Sequence, residues 1–164
     1  MAEGPQVRLR AEWLQRELAG RTIERAESPR ADLSGLAQRL RGRTVVRAFA
    51  RGKNLLLELS GGLFLHNHLR MQGRWRRLGS ADAAAPRGAW LVLRLADRAL
   101  ANLHGQTLAL LDEAGVQTLV EGLGVDVMGE PFPEQELLHA LAAAHGEIGP
   151  ALLDQTIIAG IGNI

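Results

Sequence analysis

Between residues 44 and 111 the chain is cut into short apolar runs separated by turn signals, and this rhythm limits the fold more than any other feature. The runs 44–49 and 54–59 flank Ala50-Arg51-Gly52-Lys53, and Gly61-Gly62 then turns the chain into 63–66. Further strand candidates cover 72–79, 89–96, 98–103 and 107–111, while the Ser-, Ala-, Asp-, Pro- and Gly-rich stretch 80–88 reads as a loop. Short strands in this number predict a β-sandwich or barrel. A helix is expected ahead of them over 5–19. Pro5 suits its first position, Val7, Ala11, Leu14 and Leu18 recur on one face, and Gly20 supplies the stop.

Past residue 121 the texture changes. Gly122-Leu123-Gly124 and Pro131-Phe132-Pro133 read as a linker, 134–144 as a helix with Leu137, Leu138 and Leu141 in its apolar stripe, and 149–154 as a shorter helix. The chain closes on Ala159-Gly160-Ile161-Gly162-Asn163-Ile164, where a helix–turn–helix still needs another helix to bury its face. The expected fold class is therefore α+β. A β-sandwich with flanking helices covers 1–121, a linker 122–133, and a partial helical domain, expected to be truncated, covers 134–164.

Charge narrows the partner. The net charge of +1 hides a split: residues 1–80 carry 16 Lys and Arg against 7 Asp and Glu, a balance of +9, and residues 81–164 carry 3 against 11, a balance of −8. Of the 16 basic residues 15 are arginine, the side chain suited to bidentate phosphate contacts. The split points either to a polyanion bound by the basic half or to an arginine-rich solvated surface. With no cysteine, disulfides and thiolate metal sites are excluded within the chain. No apolar run approaches the ~20 residues of a membrane span, and the N-terminus lacks the regions of a secretory signal. A cytoplasmic, nucleoid-associated location and a monomer without membrane contact are expected.

Several polar residues stand out, each with a plainer reading beside a chemical one. Glu3 is a charge favourable to the dipole of the helix beginning near Pro5, or an acid/base group. Lys53 is an exposed turn lysine that discourages edge pairing, or a phosphate contact. His68 ends an apolar strand and shares a face with His66, Met71 suits core packing, and Asn163 follows a glycine as a turn former does. A metal held by the histidine pair lacks a visible third ligand.

Four segments, Met1-Ala2-Glu3-Gly4-Pro5-Gln6-Val7, Arg51-Gly52-Lys53-Asn54-Leu55-Leu56-Leu57, His66-Asn67-His68-Leu69-Arg70-Met71-Gln72-Gly73-Arg74-Trp75 and Ala151-Leu152-Leu153-Asp154-Gln155 through Ile164, occur in order. Together they resemble the formamidopyrimidine-DNA glycosylase/endonuclease VIII family of bifunctional DNA repair enzymes, and Leu123-Gly124-Val125-Asp126 is similar to that family's linker. The resemblance implies a β-sandwich, a helix–two-turn–helix domain, a zinc finger after it, and double-stranded DNA with an oxidised base or abasic site in the cleft. No zinc finger is expected within these 164 residues, and so no metal or other cofactor is expected in them.

By the same resemblance, an N-terminal amine attacks the sugar C1′ of a flipped-out nucleotide and forms a Schiff base, with Glu3 as general acid/base and Lys53 at the neighbouring phosphate. His68 and Asn163 hold DNA phosphates, Met71 wedges into the gap left by the flipped base, and Arg70, where many members have glycine, adds a phosphate or base contact. Two positions depart from the pattern. Ala2 stands where the family has proline, so removal of Met1 leaves a primary amine, whose imine must be protonated to act as an electron sink. Gln6 stands where a carboxylate is common. The segment 100–106 lacks the Arg- and Phe-containing run of purine-directed members and resembles the endonuclease VIII-like branch, with Leu103 or His104 as a gap filler. Two functions are carried forward. The first is a glycosylase with AP-lyase activity on oxidised bases, pyrimidines favoured; the second is a catalytically impaired binder of damaged DNA.

Overall fold

The computed structural model of the chain describes residues 3–105 and 107–162. Helix α1 covers Gly4–Leu18 and buries Val7, Ala11, Leu14 and Leu18, the face marked by the sequence period. It begins one residue earlier than expected, with Glu3 extended at the cap and Pro5 in the first turn. Gln6 Oε1 accepts the Glu3 backbone N–H at 2.8 Å, so residue 6 does a capping task for which glutamine serves as well as glutamate.

Strand β1 (Arg25–Glu27), a 3₁₀ turn at Ala31–Leu33 and helix α2 (Ser34–Leu40) follow, in a stretch to which the sequence reading assigned no element. Then come β2 (Val45–Arg51), β3 (Asn54–Leu59), β4 (Leu63–His68), β5 (Arg74–Arg77), β6 (Ala89–Arg94), β7 (Ala99–Leu103) and β8 (Thr107–Asp112). The expected strand 72–79 is shorter because Gly73 N returns to the Leu69 carbonyl at 2.9 Å and closes a tight loop first. Helix α3 (Glu113–Glu121), not foreseen, is capped by Asp112, whose Oδ1 accepts from Gly115 N at 2.8 Å. The remaining elements are β9 (Val125–Asp126), α4 (Glu134–Ala143), α5 (Ile148–Leu153) and β10 (Ile158–Ala159).

Two antiparallel sheets, ordered β1-β6-β7-β5 and β2-β3-β4-β8, face each other across a shared core. Leu55, Leu57 and Leu65 enter it from one sheet and Leu91, Leu93 and Leu100 from the other, with the buried stripe of α1 closing the side along β2. On the outer face of the first sheet, Val92, Ala99, Ala101 and Leu103 form a smaller apolar cluster with Leu78 and Ala89. The loop at 80–88 is strapped over it. The buried Arg94 guanidinium donates to the carbonyls of Ala81 at 2.6 Å and Ala83 at 2.9 Å and pairs with Glu27.

The last described segment is pinned back onto the sandwich. β10 pairs in parallel with β9, and Gly160 accepts the Gly4 N–H at 2.8 Å. A Cβ on Gly4 would stand 2.9 Å from that carbonyl oxygen, so the start of α1 can approach this closely only as glycine. Among the described residues no helix is long and apolar enough to cross a membrane.

Candidate active site

Each feature of the site follows from where a strand or helix ends. β2 and β3 are joined by the two-residue turn Gly52-Lys53, with Arg51 and Asn54 as the last cross-strand pair. Gly52 has φ +54°, the positive value such a turn needs at its first central residue. Its amide donates to Asp126 Oδ2 at 2.9 Å, while Asp126 Oδ1 accepts from Met128 N at 2.9 Å. The Lys53 turn is thereby fastened to the segment after α3. A Cβ on Gly52 would also stand 3.0 Å from the Ala159 Cβ, so the turn lies against β10.

Held in this way, Lys53 is buried rather than exposed, which removes the reading of a solvated turn lysine. Its Nζ lies 3.1 Å from Glu3 Oε2. The contact is an ion pair without hydrogen-bond alignment, and neither carboxylate oxygen of Glu3 has a hydrogen-bond donor among the described residues. The Glu3 side chain therefore does not cap α1; that role falls to Gln6. Gly162 forms the third wall, where any Cβ would overlap both Glu3 oxygens and Lys53 Nζ. Gln155 shapes this wall by donating to the Ile161 carbonyl at 2.7 Å and accepting from Gly160 N at 3.1 Å.

Ala2 and Asn163 lie outside the described residues, as does Gln106. Their chain neighbours Glu3 and Gly162 meet at the ion pair, so the first and last described residues converge on one place.

The other expected site residues gather at the same end of the sandwich. His68 is the cross-strand partner of Asn54, next to Lys53. Its Nδ1 accepts the Arg70 backbone N–H at 3.2 Å, which leaves Nε2 as the protonated donor of a neutral ring. Burial, and then the positive charges of Arg70 and Lys53, hold the His68 pKa below the ordinary histidine value. His66 is likewise lowered, by burial and by His68, and shares a 2.8 Å hydrogen bond with Asn54 Oδ1. No group of three metal-ligating side chains converges among the described residues.

Arg70 sits at φ +50° on the loop beyond β4, and Met71 beside it is 69% exposed, which excludes core packing for this methionine. Leu103 is corrected: it is 2% exposed within the smaller apolar cluster and has no free side chain to offer a gap. His104, also at φ +50°, remains partly exposed with its ring over Gly88. The sequence reading overlooked Gly162, Gln155 and the supporting role of Asp126. In the sequence Asp126 stands out only as part of a linker-like motif, Gln155 only within the segment 151–155 of the family resemblance, and Gly162 only as a member of the closing turn.

Comparison with known proteins identifies relatives of this fold. Residues 1–121 match the family described as formamidopyrimidine-DNA glycosylase N-terminal domain. The whole chain aligns at 36% identity with a probable endonuclease 8 2 of Streptomyces coelicolor, covering 60% of that protein. It aligns at 33% with a formamidopyrimidine-DNA glycosylase of Azorhizobium caulinodans, covering 64%. Among solved structures, Lactococcus lactis formamidopyrimidine-DNA glycosylase bound to DNA containing an abasic site superimposes with a TM-score of 0.85 at 28% identity, over 99% of this chain and 65% of that one. The chain thus spans about three-fifths of the length of the curated relatives it matches. The family match over 1–121 and these relatives, on a two-sheet scaffold that brings Glu3 at the start of α1 against a hairpin lysine, place this chain in the formamidopyrimidine-DNA glycosylase/endonuclease VIII family.

Proposed function

We propose that this chain is the catalytic portion of a base-excision repair glycosylase that acts on oxidised or abasic sites in double-stranded DNA and carries AP-lyase activity through the amine of Ala2. The observation that carries the reading is the buried Glu3–Lys53 pair under Gly162, one residue from that amine. An α-amine has an unperturbed pKa of about 7.7–8.0, so a useful fraction is uncharged near neutrality. Its nitrogen lone pair attacks C1′ of a flipped nucleotide, the C1′–N glycosidic bond breaks, and the base departs with its electron pair. Glu3, a carboxylate in its pair with Lys53, takes a proton from the attacking nitrogen and passes it to the ring oxygen as the sugar opens and the imine forms, which leaves it free to accept the C2′ proton. Loss of a C2′ proton then expels the 3′ phosphate. Lys53 supplies positive charge beside the reacting sugar.

Neutral His68, with Nε2–H unpartnered among the described residues, donates to a backbone phosphate, Asn163 contacts the same backbone, and exposed Arg70 and Met71 reach the duplex. The relatives named endonuclease 8 and the missing Arg- and Phe-containing run in 100–106 favour oxidised pyrimidines as substrates. Incision assays on duplexes carrying an abasic site, 5-hydroxycytosine or 8-oxoguanine test this reading. Cleavage of the first two ahead of the third is expected, and absence of cleavage on all three overturns it. The second reading, a binder without turnover, rests on Ala2 alone, because Gln6 is accounted for by its cap on α1. Damage-selective binding without incision, converted to incision by Ala2→Pro, would establish it.

A further inference from the structure

Asn67 lies where the strands carrying the two DNA-facing loops come together. It is 1% exposed and points into the space between the sheets, where the neighbouring inward positions are mostly leucine. Its Oδ1 accepts from Trp75 Nε1 at 2.9 Å and from Asn102 Nδ2 at 3.0 Å, and its Nδ2 donates to the Thr107 carbonyl at 2.8 Å. Because an indole nitrogen can only donate, the orientation of the amide is fixed.

The chain positions of these partners carry the argument. Asn67 is next to last in β4, just before the loop 69–73, and Trp75 is second in β5, just after it. Asn102 is next to last in β7 and Thr107 opens β8, on either side of the connection that bears His104 and Gly105. β4 and β8 belong to one sheet, β5 and β7 to the other. One buried amide therefore ties together all four strand ends from which both loops spring. Asn102 Oδ1 faces Gly105, where any Cβ would overlap it, so the second turn closes down on the same cluster.

Packing alone does not ask for this arrangement. A leucine pair would join the sheets without the desolvation cost of buried amides, a cost increased here because Asn102 Oδ1 has no donor among the described residues, whereas the three hydrogen bonds of Asn67 select one geometry. We propose that Asn67 is a positioning residue that couples the loop bearing Met71 to the turn bearing His104, so that both meet DNA as one unit; this rests on the DNA-repair reading above.

Two measurements on the full chain test the coupling. Without DNA, the His104→Ala substitution should move the amide chemical shifts of Arg70, Met71 and Gly73 in the parent and leave them in place in Asn67→Leu. Equal movement in both backgrounds overturns the proposal. With DNA, affinity for a duplex holding a tetrahydrofuran abasic analogue is measured for Met71→Ala, His104→Ala and the double variant in both backgrounds. The double loss should depart from the product of the single losses by about fivefold in the parent and match that product in Asn67→Leu. Simple multiplication in the parent, or a departure that survives Asn67→Leu, overturns the proposal. A parent with no preference for the abasic duplex defeats the DNA-repair reading instead, while the DNA-free shifts still decide the coupling. If Asn67→Leu does not fold, Trp75→Phe, which deletes only the indole donor, takes its place under the same expectations.

Discussion

Glu3 Oε2 stands 3.1 Å from Lys53 Nζ, with the two side chains only 11% and 8% exposed. Both charges are largely withdrawn from solvent, so losing one strands the other. Lys53→Leu should destabilise the chain by about 3 kcal/mol in urea unfolding, and adding Glu3→Gln should recover most of that loss. Additive losses in the double variant would mean that the pair is not coupled.

Gly162 separates the site from the fold. The atoms nearest to an alanine Cβ there are the ends of two flexible side chains, the two charged groups of the site. Gly162→Ala is expected to change the melting temperature little and to lower incision about a hundredfold, the cost of misplacing reacting groups by about an ångström. A large fall in melting temperature with proportionate loss of activity would assign this glycine a purely structural part.

Asp126 holds the Lys53 turn through one oxygen and the Met128 amide through the other. In Asp126→Asn one of those amides faces an NH₂ group. The local cost should be about 1.4 kcal/mol, read as roughly tenfold faster hydrogen exchange at the Gly52 amide. Asp126→Ala, which removes both acceptors, should speed exchange at Gly52 in any case, and unchanged exchange there would remove Asp126 from the support of the site.

The scaffold was easier to read from the sequence than the site. The β2 to β8 runs alternate or fill the core in the way short strands do, and the buried stripe of α1 recurs at helical spacing, so one face of each element is written locally. Helices α2 and α3 escaped because each is short: α2 buries only Ala37 and Leu40, and α3 buries no residue fully. Glu3, Lys53 and His68 were legible because their motifs are. Their convergence was not, since it depends on Asp126 reaching Gly52 across 74 positions and on Gly160 reaching Gly4. The exposure of Met71 and the burial of Leu103 likewise depend on where a loop closes, and both leucine and methionine satisfy either environment in sequence terms.

His68 gives the pH dependence. Its folded pKa is held below the unfolded value of about 6.5, so the folded state resists protonation. The stability linked to it is fully present above pH 6.5 and is lost as pH falls below that value towards the folded pKa, because the unfolded chain takes up the proton first. His66, lowered in the same direction, adds to the loss. His68→Asn should flatten the stability profile below pH 6.5, and a phosphate placed at Nε2 should raise the His68 pKa in an NMR titration with abasic duplex. A pKa unmoved by DNA would take His68 out of the phosphate contacts.

Borohydride reduction in the presence of an abasic-site duplex addresses the central claim directly, because it fixes an amine–sugar imine as a stable adduct. With Met1 removal verified by mass spectrometry, the chain should give a covalent protein–DNA species whose adduct maps to Ala2 and which Glu3→Gln diminishes. No adduct from the processed chain, or one that maps to Lys53, would contradict the assignment of the N-terminal amine as nucleophile.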